Sequence, residues 1–117
     1  MHELNATKRI IKDVLETCKK YDVKQVSEIV VRVGILTSFE AEPIKYYFST
    51  IKEEYPILTK AKLIILIEDS EIYCKTCKKE NIIKNSYLME CPECGSDEVK
   101  IIKGQDVIIQ EIKRGTK

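Results

Sequence analysis

Four cysteines in two pairs, Cys74-Lys75-Thr76-Cys77 and Cys91-Pro92-Glu93-Cys94, stand thirteen residues apart and form the clearest chemical signal in the chain. A Cys-x-x-Cys turn presents two sulfurs from one tight loop, and two such loops supply the four soft thiolates that Zn(II) takes in a tetrahedron. A metal with four protein ligands has no position left for water, so this zinc is expected to shape the protein rather than hydrolyse anything. Gly95 follows the second pair, where the chain often needs a positive φ. Four thiolates on a dication carry about −2 in net charge, which Lys75, Lys78 and Lys79 are placed to offset. Disulfides or a redox pair are the rival readings. A chain without a secretion signal is expected to stay in a reducing compartment, and a redox motif has no need to occur twice.

The second chemical candidate is the opening Met1-His2-Glu3, which holds the only histidine of the chain. The terminal amine, the His2 amide nitrogen and His2 Nδ1 can close adjacent five- and six-membered chelate rings on one metal, with the Glu3 amide nitrogen as a fourth donor. An all-nitrogen planar field suits Ni(II) or Cu(II) and disfavours Zn(II). Methionine before a bulky histidine is expected to escape trimming, so the amine is retained. A histidine at position 2 is also what a solvated, frayed terminus looks like, and these residues alone leave both readings open.

The elements that must position these groups follow from periodicity. Leu4, Ile11, Val14, Leu15 and Cys18 recur at helical spacing, which predicts an amphipathic helix over about residues 4–20 with Cys18 as a small core hydrophobe outside the metal site. From Val26 the period becomes two: Ile29, Val31, Val33 and Ile35 alternate with other residues in a β-branched strand that Gly34 ends or bends. A second helix is expected from near Glu40, with Pro43 in its first turn and Ile44, Tyr47, Phe48 and Ile51 on its core face. Tyr55-Pro56 breaks it. Lys62 to Glu68 is then a strand, apolar on both faces and so expected to be central or covered. A metal module over 72–98 is too small to fold without its ion. Val99 to Ile102 and Val107 to Ile112 are read as strands that return to the first domain. The expectation is an α+β fold: two helices on a small, about three-stranded sheet over 1–71 plus 99–117, with an inserted four-cysteine zinc-ribbon-like module over 72–98.

Composition narrows function further. The chain has 117 residues, 44% apolar and 33% charged, with a formal charge of +1, so no global field draws it to nucleic acid or an anionic membrane. Its longest apolar run, Leu63 to Ile67, is five residues against the roughly twenty of a spanning helix. The start lacks the basic and apolar stretches of a signal peptide, and a cytoplasmic location is expected. With the one histidine terminal and the paired cysteines occupied by metal, no catalytic constellation remains, and the chain is not expected to be an enzyme. A zinc-ribbon nucleic-acid or transcription interaction module is the alternative reading.

Met1-His2-Glu3 opening a helix, Val33-Gly34-Ile35-Leu36, Phe39-Glu40-Ala41-Glu42 leading to Tyr46 and Phe48, and the motifs Cys74-x2-Cys77 and Cys91-Pro92-x-Cys94-Gly95 together resemble the HypA family. These are nickel metallochaperones of [NiFe]-hydrogenase maturation, and the resemblance spans essentially the whole chain. It implies that His2 is the nickel ligand, with the Met1 amine and the His2 and Glu3 backbone nitrogens beside it, and that Cys74, Cys77, Cys91 and Cys94 hold structural zinc. Ni(II) would be cargo delivered to the hydrogenase large-subunit precursor. The implied partners are that precursor and a nickel-handling maturation GTPase of the HypB type, with no nucleic acid or membrane and with a homodimer left open; some members also serve urease. Ile35 and Ala41 stand where the family more often has Glu and Pro.

Overall fold

The computed structural model describes residues 2–84 and 89–115, and of residue 2 the backbone alone. Helix α1 spans His2–Lys20. Thr7, Ile10, Ile11, Val14 and Cys18 fall at helical spacing and are buried, while Lys8, Arg9, Lys12 and Glu16 stay in solvent. Asp22 stops the helix in the left-handed region at φ 56. The Val23 amide donates to the Cys18 carbonyl at 2.8 Å and the Asp22 amide to Lys19 at 3.4 Å, the paired bonds of a Schellman ending. Arg114 adds a guanidinium bond of 3.2 Å to the Tyr21 carbonyl, satisfying another orphan acceptor of the last turn.

Helix α2, Ala41–Ile51, starts where Glu40 turns out of extended backbone, with Pro43 in the first turn as expected. It buries Ile44 and Phe48, half-buries Tyr47 and Ile51, and leaves Tyr46 exposed. Two 3₁₀ turns, Lys52–Glu54 and Pro56–Leu58, carry the chain past Tyr55-Pro56.

Among the described residues six strands form two sheets where the sequence suggested one. Strands β1 (Val26–Gly34), β2 (Lys62–Glu68) and β6 (Val107–Arg114) make a sheet of order β2-β1-β6. The Gly115 amide donates to Gln25 at 2.7 Å and the Gly34 amide to Asp106 at 3.0 Å, so β1 and β6 run antiparallel. Strand β1 is central and buries Ile29, Val31 and Val33 on one side and Val26 and Val30 on the other. Strand β2 was expected to be central or covered because it is apolar on both faces; it lies at an edge instead, with Leu66 44% and Ile67 51% exposed. Apolar residues on both faces report what a strand could bury, whereas its place is decided by which neighbour pairs with it, and β1 takes the middle.

The second sheet has order β4-β3-β5, built from β3 (Ser70–Cys74), β4 (Glu80–Ile83) and β5 (Val99–Lys103). Strand β3 pairs antiparallel with both neighbours, Tyr73 standing opposite Glu80 on one side and Lys100 on the other. The expectation that Val99 to Ile102 and Val107 to Ile112 both return to the first domain holds for the second stretch, β6, and not for the first, β5, which completes the cysteine-bearing sheet. The chain divides into two compact units: one runs through Arg32 and adds Phe39–Leu66 and the stretch from Ile108, and the other holds Val33–Ser38 and Ile67–Val107. The cysteine-bearing unit is therefore wider than 72–98, because three short strands give it a sheet that the loops alone would lack. Among the described residues no helix is long and apolar enough to cross a membrane.

Candidate metal centre

The first cysteine pair sits in the β3–β4 hairpin connection. Cys74 ends β3, and the turn closes with the Lys78 amide donating to the Cys74 carbonyl at 2.8 Å and the Cys74 amide to Lys79 at 2.9 Å. The second pair repeats the device ahead of β5: the Gly95 amide donates to the Cys91 carbonyl at 2.8 Å, and the Cys91 amide to Ser96 at 2.8 Å. Each loop needs a left-handed residue one position past its second cysteine. Gly95 supplies it at φ 75, as expected from the sequence, and Lys78 supplies it at φ 60. Nothing in a lysine announces that role; only the parallel between the two loops reveals it. A hydroxyl pair, Thr76 Oγ1 and Ser96 Oγ at 2.8 Å, ties one loop to the other.

The four sulfurs converge within 4.8 Å of one another. Cys74 and Cys94 are 3.6 Å apart, and Cys77 and Cys91 are 3.7 Å apart. Zinc–sulfur bonds of about 2.3 Å would set the edges of a thiolate tetrahedron at roughly 3.8 Å, so Cys74, Cys77, Cys91 and Cys94 fit Zn(II). Amide groups are aimed at the sulfurs as well: Cys77 N–H at Cys74 Sγ and Glu93 N–H at Cys91 Sγ, both 3.4 Å. Such bonds offset thiolate charge. The Cys77 amide is the largest cause that draws the Cys74 thiol down to about 6, while desolvation pushes Cys77 up. Lys79, expected to balance the sulfurs, instead pairs with Glu93 at 3.3 Å across the two loops. Cys74 and Cys91 are buried and Cys94 is exposed. Cys18 lies in the other unit, 2% exposed, where burial pushes its thiol up and makes it a core side chain.

Of the amino-terminal candidates, Met1 and the His2 imidazole lie outside the described residues. The His2 and Glu3 backbone forms the first turn of α1. Amides in a first turn have no helical acceptor. Glu3 is tied at both ends: its carbonyl accepts from the Thr7 hydroxyl at 2.7 Å, and its carboxylate accepts from the Glu40 amide at 3.3 Å, at the entry to α2. In the same unit a groove of about 510 Å³ runs between α1 and the end of α2, with Lys8 and Lys12 on its rim over Ile11, Leu15 and Ile51.

Residues 1–114 match the family described as hydrogenase/urease nickel incorporation, metallochaperone, hypA. The chain is 33% identical to the hydrogenase maturation factor HypA of Aquifex aeolicus, over 97% of this chain and 96% of that one. It is 34% identical to the protein of the same name from Campylobacter jejuni, over 96% and 97%. Its fold is similar to the solution structure of the Ni metallochaperone HypA from Helicobacter pylori, with a TM-score of 0.73 at 23% identity over 96% of both chains.

Proposed function

Because this chain belongs to the HypA family of nickel-incorporation metallochaperones, we propose that it captures Ni(II) at its N-terminus and delivers it to the hydrogenase large subunit during maturation. The ligands in this reading are the Met1 amine, the His2 amide and Nδ1, and the Glu3 amide. The observation that carries it is the start of α1 at His2, which leaves the Glu3 amide without a helical acceptor while Thr7 and Glu40 hold the residue in place. Planar nitrogen donors favour Ni(II) over Zn(II), and a terminal amine that reprotonates near neutral pH allows release. Nickel capture then belongs to the unit that holds α1, α2 and the stretch from Ile108. The four cysteines of 72–98 hold zinc that stabilises their module and leaves no site for substrate.

Delivery needs partners. We assign these to a nickel-handling GTPase and the large-subunit precursor, in a cytoplasmic setting. The groove beside Lys8 and Lys12 is the candidate docking surface for the GTPase, since it lies on the helix whose first turn carries the cargo. The chemistry is transfer without turnover, and no residue is assigned a catalytic role.

The test is nickel titration of tag-free protein, of His2→Ala, and of a chain extended by one residue before Met1, followed by stoichiometry and d–d absorption. His2→Ala should abolish the native site, and the extension should change its spectrum, with zinc content and fold unchanged in both. Native-like nickel binding by His2→Ala would sink this mechanism and favour the zinc-ribbon interaction module.

A further inference from the structure

The four sulfurs of the metal centre are unequally protected. Cys91 is buried, accepts from the Glu93 amide at 3.4 Å and has Asn81 Nδ2 at 4.0 Å. Cys74 is buried and accepts from the Cys77 amide at 3.4 Å, and Cys77 is half-buried. Cys94 alone among the four is exposed. The sulfur set against it at 3.6 Å is Cys74, from the other loop, and Cys77 and Cys91 make a second cross-loop pair at 3.7 Å. Contacts away from the sulfurs hold the loops face to face. Thr76 Oγ1 meets Ser96 Oγ at 2.8 Å, Lys79 meets Glu93 at 3.3 Å, and the Lys75 amide donates to the Glu98 carbonyl at 2.9 Å.

We propose that Cys94 is a peroxide-modification site, at which hydrogen peroxide converts the centre to a Cys74–Cys94 disulfide that joins the two loops and releases the zinc. The Cys94 thiolate, the one a solute can reach, attacks a peroxide oxygen; the O–O bond breaks, hydroxide leaves, and Cys94 becomes a sulfenic acid. The Cys74 thiolate then attacks that sulfur, forming the S–S bond and expelling a second hydroxide. Two thiolates lose two electrons, the peroxide gains them, and both hydroxides take protons from solvent. Cys77 and Cys91 are left as two ligands where Zn(II) takes four, so the ion departs. The loops stay facing while the second sulfur reacts, and the disulfide then replaces the ion as the link between them. A small dithiol reverses the change by exchange, its own sulfurs becoming the disulfide as Cys74 and Cys94 return to thiolates. Cys18, 2% exposed in the other unit, takes no part. The device ties zinc occupancy to reducing conditions.

Zinc release by this route is independent of the nickel reading. The test uses the zinc-loaded full chain, a single equivalent of hydrogen peroxide, and a chromogenic zinc chelator too weak to strip the intact site. Zinc should pass to the chelator in step with peroxide consumed, and should stay bound when peroxide is left out. Trypsin and a glutamate-specific protease cut after Lys75, Lys78, Glu90 and Glu93, so each of the four cysteines falls on its own peptide. Mass spectrometry of the digest, after free thiols are capped, should find Cys74 joined to Cys94 and Cys18 capped. Dimedone added with the peroxide should mark Cys94 and prevent the disulfide. Dithiothreitol followed by Zn(II) should restore the full zinc content. Zinc retained after the peroxide is consumed overturns the proposal. So does a disulfide within either Cys-x-x-Cys loop or between Cys77 and Cys91, and so does dimedone on another cysteine in preference to Cys94.

Discussion

Gly34 and Gly104 are seventy positions apart in sequence, and the fold presses their backbones together. A Cβ added to Gly34 would stand 2.1 Å from the Gly104 carbonyl oxygen, 2.2 Å from its carbon and 2.8 Å from its Cα. The φ of −70 and ψ of 143 at Gly34 suit any residue, so the cost of Gly34→Ala is steric alone. Relieving it needs the backbones to part by about 1.3 Å, the gap between 2.1 Å and an ordinary contact of roughly 3.4 Å. That movement strains two bonds on the same joint, Leu36 N–H to the Gly104 carbonyl at 2.9 Å and Gly34 N–H to Asp106 at 3.0 Å. Two weakened hydrogen bonds at about 1 kcal/mol each, plus about 1–3 kcal/mol for overpacking, give an expected loss of about 3–5 kcal/mol. Gly95→Ala is the control. Its Cβ would meet nothing within 4 Å, and only the left-handed φ of 75 is charged against it, about 1 kcal/mol. Urea unfolding of the zinc-loaded proteins measures both, with Gly34→Ala shifted down by roughly 2 M or failing to fold and Gly95→Ala by less than about 1 M. If Gly34→Ala unfolds with the native protein, or costs no more than Gly95→Ala, the close approach does not govern stability and the reasoning fails.

Lys78→Gly should stabilise the zinc-loaded form by about 0.5–1 kcal/mol, read as a higher urea midpoint, because glycine meets the left-handed φ of 60 without a Cβ. Cys91→Ala should lose the zinc equivalent and disorder the cysteine-bearing module, while amide spectra of α1, α2 and the β2-β1-β6 sheet persist; retained zinc with unchanged module spectra would overturn the ligand assignment. Charge reversal at both Lys8 and Lys12 should slow nickel transfer to the proposed GTPase partner without altering zinc content, and unchanged transfer and affinity would place the docking surface elsewhere.

What the sequence determined by itself was local. Two cysteines three positions apart share one turn whatever surrounds them, so the zinc ligands and the need for Gly95 were readable from spacing and from the conformational freedom of glycine. The same holds for the helices and for β1, whose periods of 3.6 and 2 are fixed by backbone geometry within a few residues. The chelate proposed for the amino-terminal tripeptide rests on ring size alone, since all its candidate donors are covalent neighbours and Met1 and the His2 imidazole lie outside the described residues. The tertiary structure decided what depends on residues far apart in the chain. Strand β5 joins β3, because pairing partners are chosen among all available edges. The aliphatic strand β2 ends at an edge, because β1 occupies the centre. Lys78 takes a left-handed conformation that its side chain does not signal, because the loop must bring its sulfurs to two others contributed fourteen and seventeen positions beyond Cys77. Gly34 reads as a strand ending in the sequence, and only the arrival of Gly104 beside it shows why a side chain there has no room.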